Sequence, residues 1–269
     1  MHATGPWLRS SLATLVVGLA AISAHGASGA RGLRELTTDR PDATESPFTV
    51  DPGHVQLEMD VASYTRSRLD GVRTTEWVFA PFNLRYGLTP YVEAGIFIVP
   101  HVRVTEQDRN GPKQTVCGVG DTTLRMKINL RGNDGGSTAF GLMADLKLPT
   151  AADGLGNDRT EGAVTFPIAY ELGAGWEGAA MTAIEFAHTP RGRRAIWVNT
   201  MTFARDIAPE LGGFLELTSA TGDGGHVATF NCGLTRALDP LTQLDCGVNL
   251  GLTRNAPDLS VFAGISRKF

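Results

Sequence analysis

Several kinds of signal are missing from this 269-residue chain. Beyond the N-terminus no apolar run reaches the roughly 18 residues that a membrane-crossing helix requires. The six histidines, His2, His25, His54, His101, His188 and His226, form no HExxH pair, and no Gly-x-Ser-x-Gly turn occurs. The sequence therefore offers no catalytic, cofactor-binding or metal-binding residues, and no cofactor is expected. Three cysteines leave at least one thiol unpaired. The formal net charge of −4 carries no nucleic-acid signature. What remains is a chain with 42% hydrophobic residues and 32 glycines, a composition suited to many short strands and tight turns.

The first 26 residues read as a secretory signal. Arg9 supplies the positive start, residues 12–22 the short apolar run, and small residues between 24 and 30 the cleavage site. Residues 27–52 form a polar segment. Its stretch Thr38-Asp39-Arg40-Pro41-Asp42-Ala43-Thr44-Glu45-Ser46-Pro47 is charged and broken by prolines, so it suits neither a long helix nor a central strand. Being too polar for lipid, it is expected to fold back into the mouth or lumen of whatever follows, with Asp39, Arg40, Asp42 and Glu45 meeting inward charges. The competing reading is a disordered leader.

From residue 53 to 269 the chain alternates. Val55, Leu57, Met59 and Val61 oppose Gln56, Glu58 and Asp60. Further strands are expected around Val78–Tyr86, Val92–Ile98, Leu124–Leu130, Phe140–Lys147 and Val164–Glu171, then near 176–187, 195–205, 210–219, 227–236, 241–252 and 259–269. Twelve strands result. The phase of 195–205 stays open, because Trp197, Met201 and Phe203 suit an outward face as well as Ile196 and Val198 do. Short spacers, such as 87–90, 132–136 and 173–175, alternate with longer polar ones at 67–73, 104–118, 150–161, 189–194, 221–226 and 253–258. Outer-membrane barrels have short periplasmic turns and longer external loops, so the expected fold is all-β, a single antiparallel transmembrane barrel of about twelve strands. Arg85-Tyr86-Gly87-Leu88-Thr89-Pro90 is weakly repeated at Arg236-Ala237-Leu238-Asp239-Pro240, which simple hairpin similarity also explains.

Val261, Ala263 and Ile265 alternate up to the terminal Phe269, an ending that looks like the signal read by barrel-assembly machinery; Arg267 departs from that pattern. The Thr38–Pro47 motif, Gly118-Val119-Gly120-Asp121 and Ala144-Asp145-Leu146-Lys147-Leu148-Pro149-Thr150 together resemble the outer-membrane β-barrel family named for transport in the meta-pathway of phenol degradation, over residues 38–269. The resemblance implies a porin-like barrel in the outer membrane of a Gram-negative bacterium, with outer-membrane lipid around it and a small, hydrophobic or aromatic permeant passing through.

Parity assigns a set of inward charges: Glu58, Asp60, Arg85, Glu93, Arg125, Lys127, Asp145, Lys147, Glu171, Glu185 and Asp245. Two readings follow. They line a polar, selective pore for passive uptake, or they pair into a packed wall of a structural or sensing barrel without flux. A surface hydrolase using His101, His188 or His226 is a weaker third reading. A hairpin centred on residue 239 sets Cys232 opposite Cys246, at a separation longer than a disulfide prefers, and leaves Cys117 in the long external spacer.

Overall fold

The computed structural model describes residues 33–109, 111–189 and 192–269; the expected signal peptide lies outside the described residues. Fifteen strand segments follow in order: β1 (Val55–Leu69), β2 (Val72–Phe79), β3 (Phe82–Thr89), β4 (Val92–Ile98), β5 (His101–Gln107), β6 (Lys113–Gly118), β7 (Thr122–Arg131), β8 (Thr138–Leu148), β9 (Glu161–Gly173), β10 (Trp176–Thr189), β11 (Gly192–Ala208), β12 (Leu211–Gly222), β13 (Gly225–Asp239), β14 (Thr242–Gly251) and β15 (Leu259–Lys268). Three pairs are single strands with a break. β2 and β3 flank Pro81, β4 and β5 flank Pro100, and β6 and β7 flank residues 119–121. Proline has no N–H to give the ladder, which is why the first two breaks fall where they do. At the third, the Gly120 amide bonds the Val99 carbonyl at 2.9 Å, and a Cβ on Gly120 would lie 2.8 Å from that of Val99.

Counted this way, twelve antiparallel strands form one sheet, and β15 pairs with β1 to close it. Closure matters physically because an open edge in lipid would leave backbone N–H and C=O groups unpaired. Above the breaks, β6 pairs with β5 but not with β8, and residues 149–160 lie beside that edge, with the Ala152 amide on the Val119 carbonyl at 3.0 Å. With an even strand count both chain ends share one rim, the periplasmic one in outer-membrane barrels.

Three sequence expectations need correction. The spacers at 67–73 and 221–226 are mostly strand, β10 runs to Thr189 and β11 starts at Gly192, and most of 104–118 belongs to the paired strands β5 and β6. Polar residues on both faces hid these extensions, because above the lipid neither face needs to be apolar. Val78 faces inward rather than with Phe82, Leu84 and Tyr86, since the irregularity at Ala80 (φ 51°) and Pro81 resets the alternation. Cys232 faces Val248 and Cys246 faces Leu234, because the turn closes on Asp239 and Thr242 rather than centring on residue 239, and a one-residue bulge between Ala237 and Asp239 leaves the pairing two positions from the expected one. The two cysteines are thus diagonal neighbours, all three thiols are free, and Cys117 lies in β6 rather than in a loop. The open phase of β11 resolves with Trp197 facing Ile184, which puts Trp197, Met201 and Phe203 outward and Ile196 and Val198 inward.

Candidate functional site: the barrel lumen

Strand parity and register bring the inward charges together in rows. Arg85 and Arg125 lie on either side of Gly95, and the row continues from Arg125 to Asp145, Ala163 and Glu185. The next row toward the termini holds Glu93 beside Lys127. Into this wall the N-terminal segment inserts its own charges. Arg85 is fully buried and contacts Glu93 (Nε–Oε1 2.9 Å), Glu58 (Nη1–Oε1 2.5 Å) and Asp39 (3.4 Å). Lys127 donates to Asp39 at 2.5 Å. Arg125 holds Asp145 in a two-pronged contact (2.8 and 2.7 Å) and also reaches both oxygens of Glu45 (2.9 and 2.8 Å). Such fork-to-carboxylate geometry is the strong form of the interaction.

The cluster has five carboxylates, Asp39, Glu45, Glu58, Glu93 and Asp145, against three cations, Arg85, Arg125 and Lys127. That imbalance divides the two acids brought by the segment. Burial works against an ionised Asp39, but Arg85, Lys127 and Arg125 outweigh it and hold its pKa below the ordinary carboxylate value. Burial pushes Glu45 up to about 7; Arg125 opposes the rise, while Asp39 and Asp145 add to it.

Two further anchors hold the segment. Asp60, Gly264 and Asp245 form one row across β1, β15 and β14. The Arg40 guanidinium lies in the notch above Gly264, paired with Asp60 and gripping Asp245 at 2.6 and 3.0 Å. Farther round, Glu216 on β12 accepts from the Thr44 hydroxyl (2.6 Å), the Ala43 amide (2.9 Å) and Asn231 (2.6 Å). At the terminal rim, Lys268 donates to Asp51 (3.0 Å) and to the carbonyls of Arg34 and Glu35. The segment's backbone is also held by wall side chains: the Val50 amide donates to Glu93 and Asn129 donates to the Pro47 carbonyl. Asp42 is buried with the rest of the segment.

Not every expected charge joins this cluster. Lys147 sits on the distal side with Glu161 (2.7 Å) and Asp121 (3.1 Å). Glu185 is on β10 at the level of Asp145, and Glu171 is exposed at the terminal end of β9. Glu216, Asn231, Asn129, Lys268 and Asp51 had not been singled out; Glu216 and Lys268 both occupy inward parity, which was the available signal. His101, His188 and His226 lie on β5, β10 and β13, none of which neighbours another. His226 instead meets Ser219 at 3.0 Å.

Opposite the ion-pair cluster, part of the inner wall is apolar. One row across β10, β11, β12 and β13 reads Ala183, Val198, Ala220 and Val227, packed with Met181 and Ile196. The lumen therefore carries its ion-pair cluster on β1, β3, β4, β7, β8 and β14 and a local apolar strip on β10–β13, bordered on the same strands by Glu185 and, nearer the termini, Glu216.

Solved structures share this architecture. An outer-membrane channel from Pseudomonas putida F1 superposes with a TM-score of 0.65 at 17% identity, covering 86% of this chain and 100% of that one. The β domain of a Bordetella autotransporter gives 0.54 at 14% identity (81% and 100% covered), and the NanC porin gives 0.52 at 9% (78% and 100% covered). At these identities the likeness shows the fold. No curated protein matches the sequence. Residues 38–269 match the family described as "Putative MetA-pathway of phenol degradation", and the chain belongs to that family of outer-membrane β-barrels of Gram-negative bacteria.

Proposed function

We propose that the barrel passes small, neutral, apolar or aromatic molecules across the outer membrane by passive diffusion. The observation that carries this reading is the inward apolar strip of Ala183, Val198, Ala220 and Val227. A barrel interior dedicated to water and salts has no need of it, since such interiors are polar. A molecule sliding along the strip keeps its apolar face out of water while the charged wall opposite repels nothing neutral. The test is flux through purified protein reconstituted in an asymmetric bilayer with a glycolipid outer leaflet, comparing a neutral monocyclic aromatic with a sugar alcohol of similar size. Faster entry of the aromatic than in protein-free bilayers, lost in Val198→Asp, supports the reading; equal entry with and without protein refutes it.

A structural or sensing barrel without flux is the second reading. It is favoured by the burial of Thr38, Asp39, Arg40, Asp42, Thr44 and Glu45 within the terminal half of the lumen, where the segment acts as a plug. Conductance measurements after removal of residues 38–47 separate the two: a rise in conductance indicates a gated pore. Delivery by the assembly machinery through β15 and Phe269 belongs to the same proposal, and truncation of Phe269 is expected to lower the assembled fraction.

A further inference from the structure

The outer surface of the barrel carries a second chemistry, on the distal extensions of β1, β2, β5 and β6. Register sets its outward side chains in rows. Tyr64, Trp77, Arg103 and Cys117 face one another in turn; the next row outward is Arg66, Thr75, Thr105 and Thr115, and the one beyond is Arg68, Arg73, Gln107 and Lys113. The level of these rows is fixed by β15, where Leu259 pairs with Arg66 and Val261, Ala263 and Ile265 continue the apolar belt toward the termini. From belt to rim the wall thus changes from aromatic to hydroxyl to cation within three rows.

The outermost row is electrostatically unfavourable by itself. Arg68 stands directly opposite Arg73, a like-charge pairing that destabilises a sheet, and Lys113 shares the row. No acid on this face relieves them. The two acids within β2 and β5, Glu76 and Glu106, have inward parity. Asp258 reaches Arg66 at 3.7 Å, and Asp70 at the turn is taken by Arg254 at 2.6 Å. Among the described residues Arg68, Arg73, Arg103 and Lys113 have no acidic partner. The same strands therefore segregate charge across the wall, acids inside and cations outside.

We propose that this face binds the phosphorylated headgroup of the glycolipid in the external leaflet, with phosphate bridging Arg68, Arg73 and Lys113 and with Tyr64 and Trp77 at the boundary between headgroup and acyl chains. Guanidinium forks match phosphate oxygens in pairs, and aromatic rings with one apolar and one polar side settle at such boundaries. A bridging dianion also converts the Arg68–Arg73 repulsion into a shared attraction. Free phosphate would satisfy the cations alone. Tyr64 and Trp77, two rows beneath, and the apolar belt below them commit the site to a lipid.

The experiment uses the full mature chain in detergent, titrated with bis-phosphorylated lipid A, with its dephosphorylated form and with inorganic phosphate, and reads Trp emission and the unfolding midpoint. Lipid A is expected to bind and raise the midpoint, and the other two are not. Arg68→Ser/Arg73→Ser/Lys113→Ser is expected to weaken binding about a hundredfold, since each cation near an anionic surface contributes roughly a factor of five. The unliganded midpoint of that variant reports its folding, and the single Arg73→Ser change replaces it if the triple variant does not fold. Equal affinity in wild type and variant, or an equal response to dephosphorylated lipid, overturns the proposal. A response to inorganic phosphate as strong as to lipid A reduces the site to a free-anion site and equally overturns it.

Discussion

Replacing Arg40 with methionine removes the one cation that joins the N-terminal segment to β1 and β14. The side chain keeps its reach, but Asp60 and Asp245 are left facing each other across Gly264 with no counter-charge. Removing one partner of a buried ion pair costs about 3–5 kcal/mol, because the other partner stays buried and uncompensated. Protonation of one aspartate limits the loss toward the lower figure. The balance between docked and released segment then moves by roughly two to three and a half powers of ten. Asp39 and Glu45, on the Arg85–Lys127–Arg125 side, and Thr44, on Glu216, are untouched, so release begins at β14 and β15. Two readouts follow it: single-channel conductance, and trypsin cleavage after Arg34. Both are expected to rise in Arg40→Met and to fall back when Asp60→Asn and Asp245→Asn are added, since a site with all three charges removed has nothing left unpaired. Unchanged conductance and unchanged cleavage in a normally folded Arg40→Met barrel would refute the reasoning.

Gly264→Ala attacks the same anchor from the wall: its Cβ would lie 2.1 Å from Arg40 Nη2 and 2.5 Å from the Met59 carbonyl, so conductance is expected to rise as in Arg40→Met. Acidity acts through Glu45. With a docked pKa of about 7 against 4.5 when free, the docked form binds the extra proton between those values, so docking is favoured below pH 4.5 and weakens as pH rises through 7, by on the order of 3 kcal/mol. Arg125, Lys127, Asp39 and Asp145 face this carboxylate, and the Glu45 amide meets the Met181 sulfur; Glu45→Gln is expected to flatten the cleavage-against-pH curve between 4.5 and 7. Maleimide is expected to label three thiols in unfolded, unreduced protein. Leu234→Cys sets a second thiol directly opposite Cys246, and mild oxidation should then cross-link that pair; a cross-link between Cys232 and Cys246 in wild type would contradict the register.

The barrel was legible because one physical demand, an apolar face toward lipid, writes itself into every second residue of each wall strand. Leu124, Met126, Ile128 and Leu130 against Arg125, Lys127 and Asn129 is the clearest instance, and β7 folds that way. Where that demand ends, legibility ends. The distal parts of β1, β2, β5 and β6 stand above the apolar belt, so Arg66, Thr75, Thr105 and Thr115 on the outward side look no different from Ser67, Thr74 and Gln114 on the inward side, and the stretches read as loops. Register is a second quantity that alternation does not carry. The turn closing on Asp239 and Thr242, about one residue later than the Asp239-Pro240 signal suggests, leaves each strand's alternation intact yet sets Cys232 against Val248 instead of Cys246.

The charged wall was readable as a list of residues but not as a set of partnerships, because the partners come from a segment without periodicity. Arg40 reaches Asp245, 205 positions away, as well as the nearby Asp60, and only the closure of β15 on β1 puts Asp60 and Asp245 either side of one glycine. The apolar wall was hidden for the opposite reason. In the middle of β11 both faces are apolar: Trp197, Met201 and Phe203 meet lipid, while Ile196 and Val198 meet the lumen ahead of Thr200 and Thr202. A period of two cannot choose a phase when the two sides have the same chemistry. In a barrel whose outward face must be apolar, a strand whose phase is ambiguous because both sides are apolar is therefore itself an indication that part of its inward face is apolar. Strand β11 stands beside β10 and β12, which supply Ala183 and Ala220 to the same row, so the ambiguity coincides with the part of the lumen suited to an apolar permeant.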